Sequence, residues 1–296
     1  MYNEIASNKR KSVLLMMVFI AFIILLGFVF DQAYGGDAYD GVIIAILFSF
    51  GMTTLSYFGG DKIALMTSGA KPLEHDENKY VYHIVENLCI TSGVPMPKIY
   101  MMEDPAINAF ATGRKPETAS IAVTRGAVEK LTNEELEGVI AHELSHIKNY
   151  DIRFMMLVAV LVGAIGILSN IFLRTRLIGR SRNDRDNGNL GVIFLIIGIV
   201  LAILSPIIAE MIKLAISRRR EYLADASGAL LTRYPEGLAN ALEKIARDAQ
   251  PLRTASTATA HLFIANPFGS GKKFASLFST HPPIEERIKK LREMGT

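Results

Sequence analysis

Apolar residues gather in blocks along this chain. Residues 13–30 form an uncharged run, VLLMMVFIAFIILLGFVF, and residues 41–58 form a second. As a helix at about 1.5 Å per residue, each reaches roughly 27 Å, close to the hydrocarbon thickness of a bilayer. Residues 154–173 make a third block and residues 190–212 a fourth, interrupted only by Glu210. Uncharged runs of this length predict membrane spans rather than core helices of a soluble protein. The first run exceeds the roughly 7–15 apolar residues of a cleaved signal, and no small-residue cleavage site follows it. It reads as a retained anchor.

Lys and Arg set the expected orientation. Lys9, Arg10 and Lys11 precede the first span, while the link at 31–40 holds no basic residue. The N-terminus is therefore expected in the cytoplasm, and the second span returns the chain there near Asp61. The loop between the third and fourth blocks holds Arg174, Arg176, Arg180, Arg182 and Arg185. Two full crossings would put these five outside, against the positive-inside tendency, whereas a hairpin that does not fully cross would avoid the conflict. Glu210 is either an intramembrane carboxylate with a role or an interfacial one reaching water.

Between the membrane pairs the pattern changes. Residues 77–92 alternate as an amphipathic helix carrying Val81, Ile84, Val85, Leu88 and Ile90, ended by Gly93 and Pro95. Residues 98–102, 107–112 and 120–124 are short strand candidates between Asp-Pro and Gly/Pro signals. Thr132 and Glu135 form a capping box that opens a helix expected to run beyond Tyr150. Residues 217–231 and 235–249 read as helices, and 284–294 as a terminal one after His281-Pro-Pro283. Residues 250–273 are rich in Thr, Ala, Ser and Gly, which predicts a mobile stretch, a candidate flap.

Composition adds three exclusions. Half of the chain is hydrophobic and mean hydropathy is +0.27, which rules out a disordered or solvating chain. Cys89 is the sole cysteine, so there is no intrachain disulfide. Thirty-two Lys and Arg against 29 Asp and Glu leave a net charge of +3, too small to imply nucleic acid as a partner.

The chemistry concentrates at His142-Glu143-Leu144-Ser145-His146. Residues four apart share a helical face, so both imidazoles can reach one ion. Glu143 then stands beside the open position, placed to take a proton from water that the ion acidifies and to return it to a leaving amine. The pattern suits one Zn2+, although such donors accept other divalent ions. A bland alternative is a surface helix with two ordinary histidines, but Val139, Ile140, Leu144 and Ile147 mark a buried face. A catalytic zinc needs a third protein ligand. His75, His83 and His261 are candidates. Glu221 is a better one, with Asp225 one turn on to orient a ligand histidine. Alone, Glu221 would read as a solvated carboxylate beside Arg218, Arg219 and Arg220.

The His142–His146 motif ahead of a hydrophobic pair, with Glu221 and Asp225 after it, resembles the HtpX heat-shock family of membrane zinc metalloproteases, relatives of the Ste24-type prenyl proteases. The likeness spans nearly the whole chain, including residues 108–113 and His281-Pro-Pro283. It implies an α-helical integral membrane protein with a cytoplasmic α+β zincin-like metalloprotease domain, a small β-sheet with active-site helices. The implied divisions are a transmembrane hairpin at 1–60, a first protease part at 61–153, a second hairpin at 154–212, and a second protease part at 213–296. Carried over by motif, His142, His146 and Glu221 are metal ligands, Glu143 the general base, and Asp225 their support. His281 is expected near the site, as an oxyanion stabiliser or as a cap of the helix that follows. Asn108, Ala109, Phe110, Ala111 and Thr112 match a strand that pairs with an extended substrate.

The resemblance further implies a multi-pass protein of the bacterial cytoplasmic (inner) membrane that cleaves membrane or misfolded polypeptides in quality control under stress. It implies self-cleavage and an ATP-dependent membrane protease as a partner. Since His146 and Glu221 must meet at one ion, the chain between them crosses an even number of times. Two other functions compete. A prenyl-protein processing protease would use the same chemistry, but four hydrophobic blocks are few for it. A non-catalytic metal-binding membrane scaffold would need no Glu143 and would use four protein ligands.

Overall fold

The computed structural model describes residues 2–34, 39–178, 200, 218–248, 250–254, 256, 259–269 and 282–295. His281, Glu210 and, apart from Val200, the fourth apolar block lie outside the described residues.

Two long apolar helices open the chain, α1 (Tyr2–Tyr34) and α2 (Asp40–Thr67). Asp31, near the end of α1, accepts hydrogen bonds from Gly41 N–H at 2.8 Å and Val42 N–H at 2.9 Å. It thereby satisfies donors that the first turn of α2 leaves without partners. Gly27 permits the close crossing: a Cβ there would lie 2.5 Å from the Gly41 carbonyl oxygen. The third long helix, α6 (Asp151–Ile178), packs Leu161, Ala164 and Ile165 against Phe19, Ile23 and Ala45 of that pair. Among the described residues, Ile5–Gln32, Asp40–Thr67 and Asp151–Leu168 are long and apolar enough to cross a membrane. The most apolar window of the third is 65% buried inside the protein, against 11% and 22% in the first two. It is enclosed by its neighbours.

A four-stranded sheet in the order β1-β2-β4-β3 follows, from β1 (Ala70–Pro72), β2 (Lys98–Met102), β3 (Ala109–Thr112) and β4 (Ser120–Thr124). β2 and β4 run parallel, and the outer pairs are antiparallel. Side chains alternate between two apolar layers. Ile99, Met101, Ile121, Val123, Ala109 and Ala111 join the core built with α3 (Lys79–Ser92) and α5 (Asn133–Lys148). Met102, Ala122 and Phe110 face Ala64 and Leu65 of α2 and Met155 and Ala159 of α6. The sheet is thus covered on one face by the ends of the long helices, which explains why all of β4 is buried.

α3 is capped as its sequence suggests: Asn78 Oδ1 accepts from Val81 N–H, and Gly93 closes it in the left-handed region. It begins at Lys79 rather than residue 77, and Ile90 is 76% exposed, off the buried face. Both halves of the Thr132–Glu135 capping box form at the start of α5, which follows the short α4 (Arg125–Lys130). α5 does not run past Tyr150 as expected. It ends at Lys148, because Tyr150 adopts φ 61°, which breaks the helix before α6. Among the described residues the remaining α-helices are α7 (Arg218–Thr232), α8 (Pro235–Asp248) and α9 (Ile284–Met294). The expected mobile flap is also corrected where it is described. Ala260, His261, Leu262, Phe263 and Ile264 are buried, with Leu262 and Phe263 packed on α2, α6 and the sheet.

Candidate metal centre

His142, Glu143 and His146 sit in the buried half of α5, each 4% exposed or less. Gly228 of α7 lets the two helices approach at His142, since a Cβ there would lie 3.0 Å from the His142 nitrogen. That approach carries Glu221 and Asp225, both buried, over the histidine pair. His142 Nε2 and His146 Nε2 are 3.2 Å apart. Glu221 Oε1 lies 3.5 Å from His146 Nε2, and Oε2 lies 3.8 Å from His142 Nε2.

Each imidazole presents its other nitrogen to a carboxylate. His142 Nδ1 is 2.9 Å from Asp225 Oδ1, close but bent away from a straight hydrogen bond. His146 Nδ1 is 3.1 Å from Asp151 Oδ2. With Nδ1–H turned to carboxylates, both Nε2 lone pairs point into the same space as the Glu221 oxygens. Three acceptors thus converge within 4.8 Å. Tetrahedral ligands about 2.0–2.1 Å from zinc stand roughly 3.3 Å apart, so the observed separations fit one cation with little adjustment. Glu143 adds a second sign of fit. Its Oε2 is fully buried with no hydrogen-bond partner among the described residues. An orphaned buried acceptor next to such a cluster suits a water between it and a metal.

Burial lifts the Glu143 carboxyl to about 7, with the Glu221 charge pushing the same way and His146 opposing. Burial opposes charge on His146 as well, which there means opposing the proton, yet the Asp151 hydrogen bond and the Glu221 charge overcome it and raise that group to about 9. The same negative field favours a cation, which would compete with that proton. Burial also opposes charge on Asp225, but Arg287 of α9 dominates and holds it at about 2. Arg287, 1% exposed, grips Asp225 in a bidentate pair of 2.8 and 2.7 Å. Its third bond goes to the Ile264 carbonyl at 3.0 Å.

The alternatives for the third ligand lie elsewhere. His75 and His83 are more than half exposed at the surface, paired with Asp76 and Glu86. His261 is buried, with Nε2 2.8 Å from the Met155 carbonyl of α6. Asn108 to Phe110 of the expected substrate strand meet the chain's own 263–265 stretch. Phe110 bridges Phe263, Ile264 N–H donates to Ala109 O at 3.0 Å, and Asn108 Nδ2 donates to Ala265 O at 3.2 Å. The Ala111 backbone faces Glu143 and favours its carboxylate form, against the effect of burial.

The sequence pattern of peptidase family M48 matches residues 75–295. The chain belongs to that family. Its M48 relatives include proteins described as "Protease HtpX homolog" that align over essentially their whole length. One from Caldanaerobacter subterraneus subsp. tengcongensis is 47% identical over 99% of this chain and 98% of its own. One from Dictyoglomus thermophilum is 45% identical over 99% and 95%. The crystal structure of S. mikatae Ste24p superposes with a TM-score of 0.51 at 19% identity, covering 98% of this chain and 67% of that one. This is a likeness of fold. An M48 member of HtpX type is a membrane metalloprotease, and the His142–His146–Glu221 group is where this one could bind its metal. The family match starts at residue 75, so α1 and α2 lie outside it.

Proposed function

We propose that the chain is a zinc-dependent endopeptidase that cleaves membrane or misfolded proteins at the cytoplasmic face of the bacterial inner membrane, in protein quality control. The observation that carries it is the partnerless Glu143 Oε2 beside three converging acceptors. His142, His146 and Glu221 would hold the ion, which would supply a Lewis acid and acidify water to near-neutral pKa.

The chain's own groups do the rest. A carboxyl raised to about 7 by burial is close to working pH, so Glu143 can take a proton from the attacking water and pass it to the leaving amine. Asp225 and Asp151 hold the imidazoles with Nδ1 protonated, which keeps Nε2 available. Of the expected substrate strand Asn108 to Thr112, the Asn108–Phe110 end already meets the chain's own 263–265 stretch, so a substrate strand would pair with β3, the edge strand, at Ala111 and Thr112, next to Glu143. His281 is kept as a candidate oxyanion donor.

Topology supports the location. The start of α1, the end of α2 and the start of α6 all meet the layer that holds the sheet and histidines. With Lys9, Arg10 and Lys11 on that side, the positive-inside tendency favours the cytoplasm. An ATP-dependent membrane protease is the proposed partner for the fragments. The deciding experiment is to purify the chain with chelator, restore zinc, and compare casein and self-cleavage with Glu143→Ala. Loss of cleavage with zinc retained is expected. Equal activity in both removes the proposed base, and zinc binding with no cleavage by either protein favours a scaffold.

A further inference from the structure

The polar end of α1 reaches the metal centre. Asn8 is 1% exposed, although Lys9, Arg10 and Lys11 beside it face outward. Its amide nitrogen donates to the Asn149 carbonyl at 3.0 Å and to Asp151 Oδ1 at 2.6 Å. Its amide oxygen accepts from Arg220 Nη1 at 3.1 Å. Both amide donors and the acceptor oxygen are thus in use. The second oxygen of Asp151 is the one that faces His146 Nδ1, at 3.1 Å.

Asn149 and Asp151 flank Tyr150, whose φ of 61° lies in the left-handed region that aromatic side chains avoid. Surrounding bonds must hold that turn. Asn8 ties its two sides together, while Lys9 and Arg153 lie over the Tyr150 ring at 4.6 and 5.2 Å. In a continuous helix, a residue five after His146 would point well away from it. The left-handed turn brings the Asp151 carboxylate back under the imidazole.

We propose that Asn8 is a positioning residue of the metal centre: from the first apolar helix it holds the α5–α6 turn and the Asp151 carboxylate, and through them the rotation of His146. The inference rests on reading His142, His146 and Glu221 as ligands. It makes metal retention depend on how α1 is seated, although α1 lies outside the matched family region.

The test uses the full chain in detergent, in a Glu143→Gln background that silences self-cleavage. Two readouts are followed: the rate of zinc release to a chelator, and the visible bands of the cobalt(II) form. Asn8→Ala should speed release about ten-fold, the low end for a group supporting a ligand, and shift the cobalt bands. Asn8→Asp keeps the shape but sets a second carboxylate against Asp151, so it should release zinc at least as fast as Asn8→Ala. Adding Asn8→Ala to Asp151→Ala should change nothing further. Lys11→Ala should match the parent.

Parent-like release and spectrum in Asn8→Ala would overturn the proposal, as would slower release from Asn8→Asp than from Asn8→Ala. Multiplying effects in the double variant would also overturn it. If Asn8→Ala and Asn8→Asp both fail to fold while Lys11→Ala folds, Asn8 serves folding and the proposal is likewise overturned. Glu221→Ala in the same background separates the two ideas. Zinc retained there sinks the ligand assignment itself, whereas zinc lost there with an indifferent Asn8 sinks only the positioning role.

Discussion

The two histidines are supported from opposite ends of the chain and by different physics. On the His142 side, Asp225 is locked by Arg287 of the last helix, a fully buried ion pair with two parallel hydrogen bonds. On the His146 side, Asp151 is held by the Asn8 amide and by one Arg220 nitrogen at 3.3 Å, a network in which a neutral group from the first helix does much of the holding. The first support lies inside the matched family region, and the second reaches outside it to residue 8. The layer of sheet and helices and an apolar helix thus each furnish half of the support for one candidate site. The first half rests on an ion pair alone, whereas the second adds to its Arg220–Asp151 ion pair a neutral amide and so depends also on where a helix sits.

Breaking the charged half should have the largest effect. Arg287→Met leaves the Asp225 carboxylate buried without its partner and should cost about 3–5 kcal/mol, read from denaturant unfolding of metal-free protein in detergent. An unchanged midpoint would mean that the ion pair contributes nothing. On the other half, Asp151→Ala should weaken zinc binding about 10–100-fold in a chelator competition, with a smaller loss of stability. Equal stability losses from Arg287→Met and Asp151→Ala would erase the contrast. Thr132→Ala removes the cap of α5, which carries both histidines, so it should lower stability by about 1 kcal/mol and leave the metal coordination spectrum of cobalt-loaded protein unchanged. The smallest effect belongs to Cys89, which touches neither support. Burial pushes its thiol up to about 11, so it should resist alkylation at pH 8 until the protein is unfolded.

How much of this was legible depended on whether the signal was local. The His142–His146 spacing, the Thr132 cap and the strands at 98–102 and 120–124 are written within a few residues, and all appear as read. β1 was missed because three residues ending in Pro72 carry no period. The break at Tyr150 was missed because neither Gly nor Pro announces it. The stretch after residue 250 looked mobile by composition, but Leu262 and Phe263 find an apolar layer that only the folded chain assembles. Glu221 was the better third-ligand candidate because Asp225 lies one turn on, but beside three arginines it took the resemblance to decide it. Asp151 and Arg287 were missed, and Asn8 gave no signal at all, since the Asn8–Asp151 bond joins residues 143 apart. An Asp five positions after His146 and an Arg four after His281-Pro-Pro283 are the faint marks that could have raised the first two.

The Phe263–Ile264 splice against β3 has a consequence for life among unfolded chains. A bare strand edge recruits any extended polypeptide, and a protease that meets such polypeptides is exposed to runaway sheet growth. By closing the Ala109 end with its own backbone, the molecule shortens the β3 edge that the described residues leave open to a residue or two. An edge that short offers a foreign strand too few backbone partners to seed an aggregate.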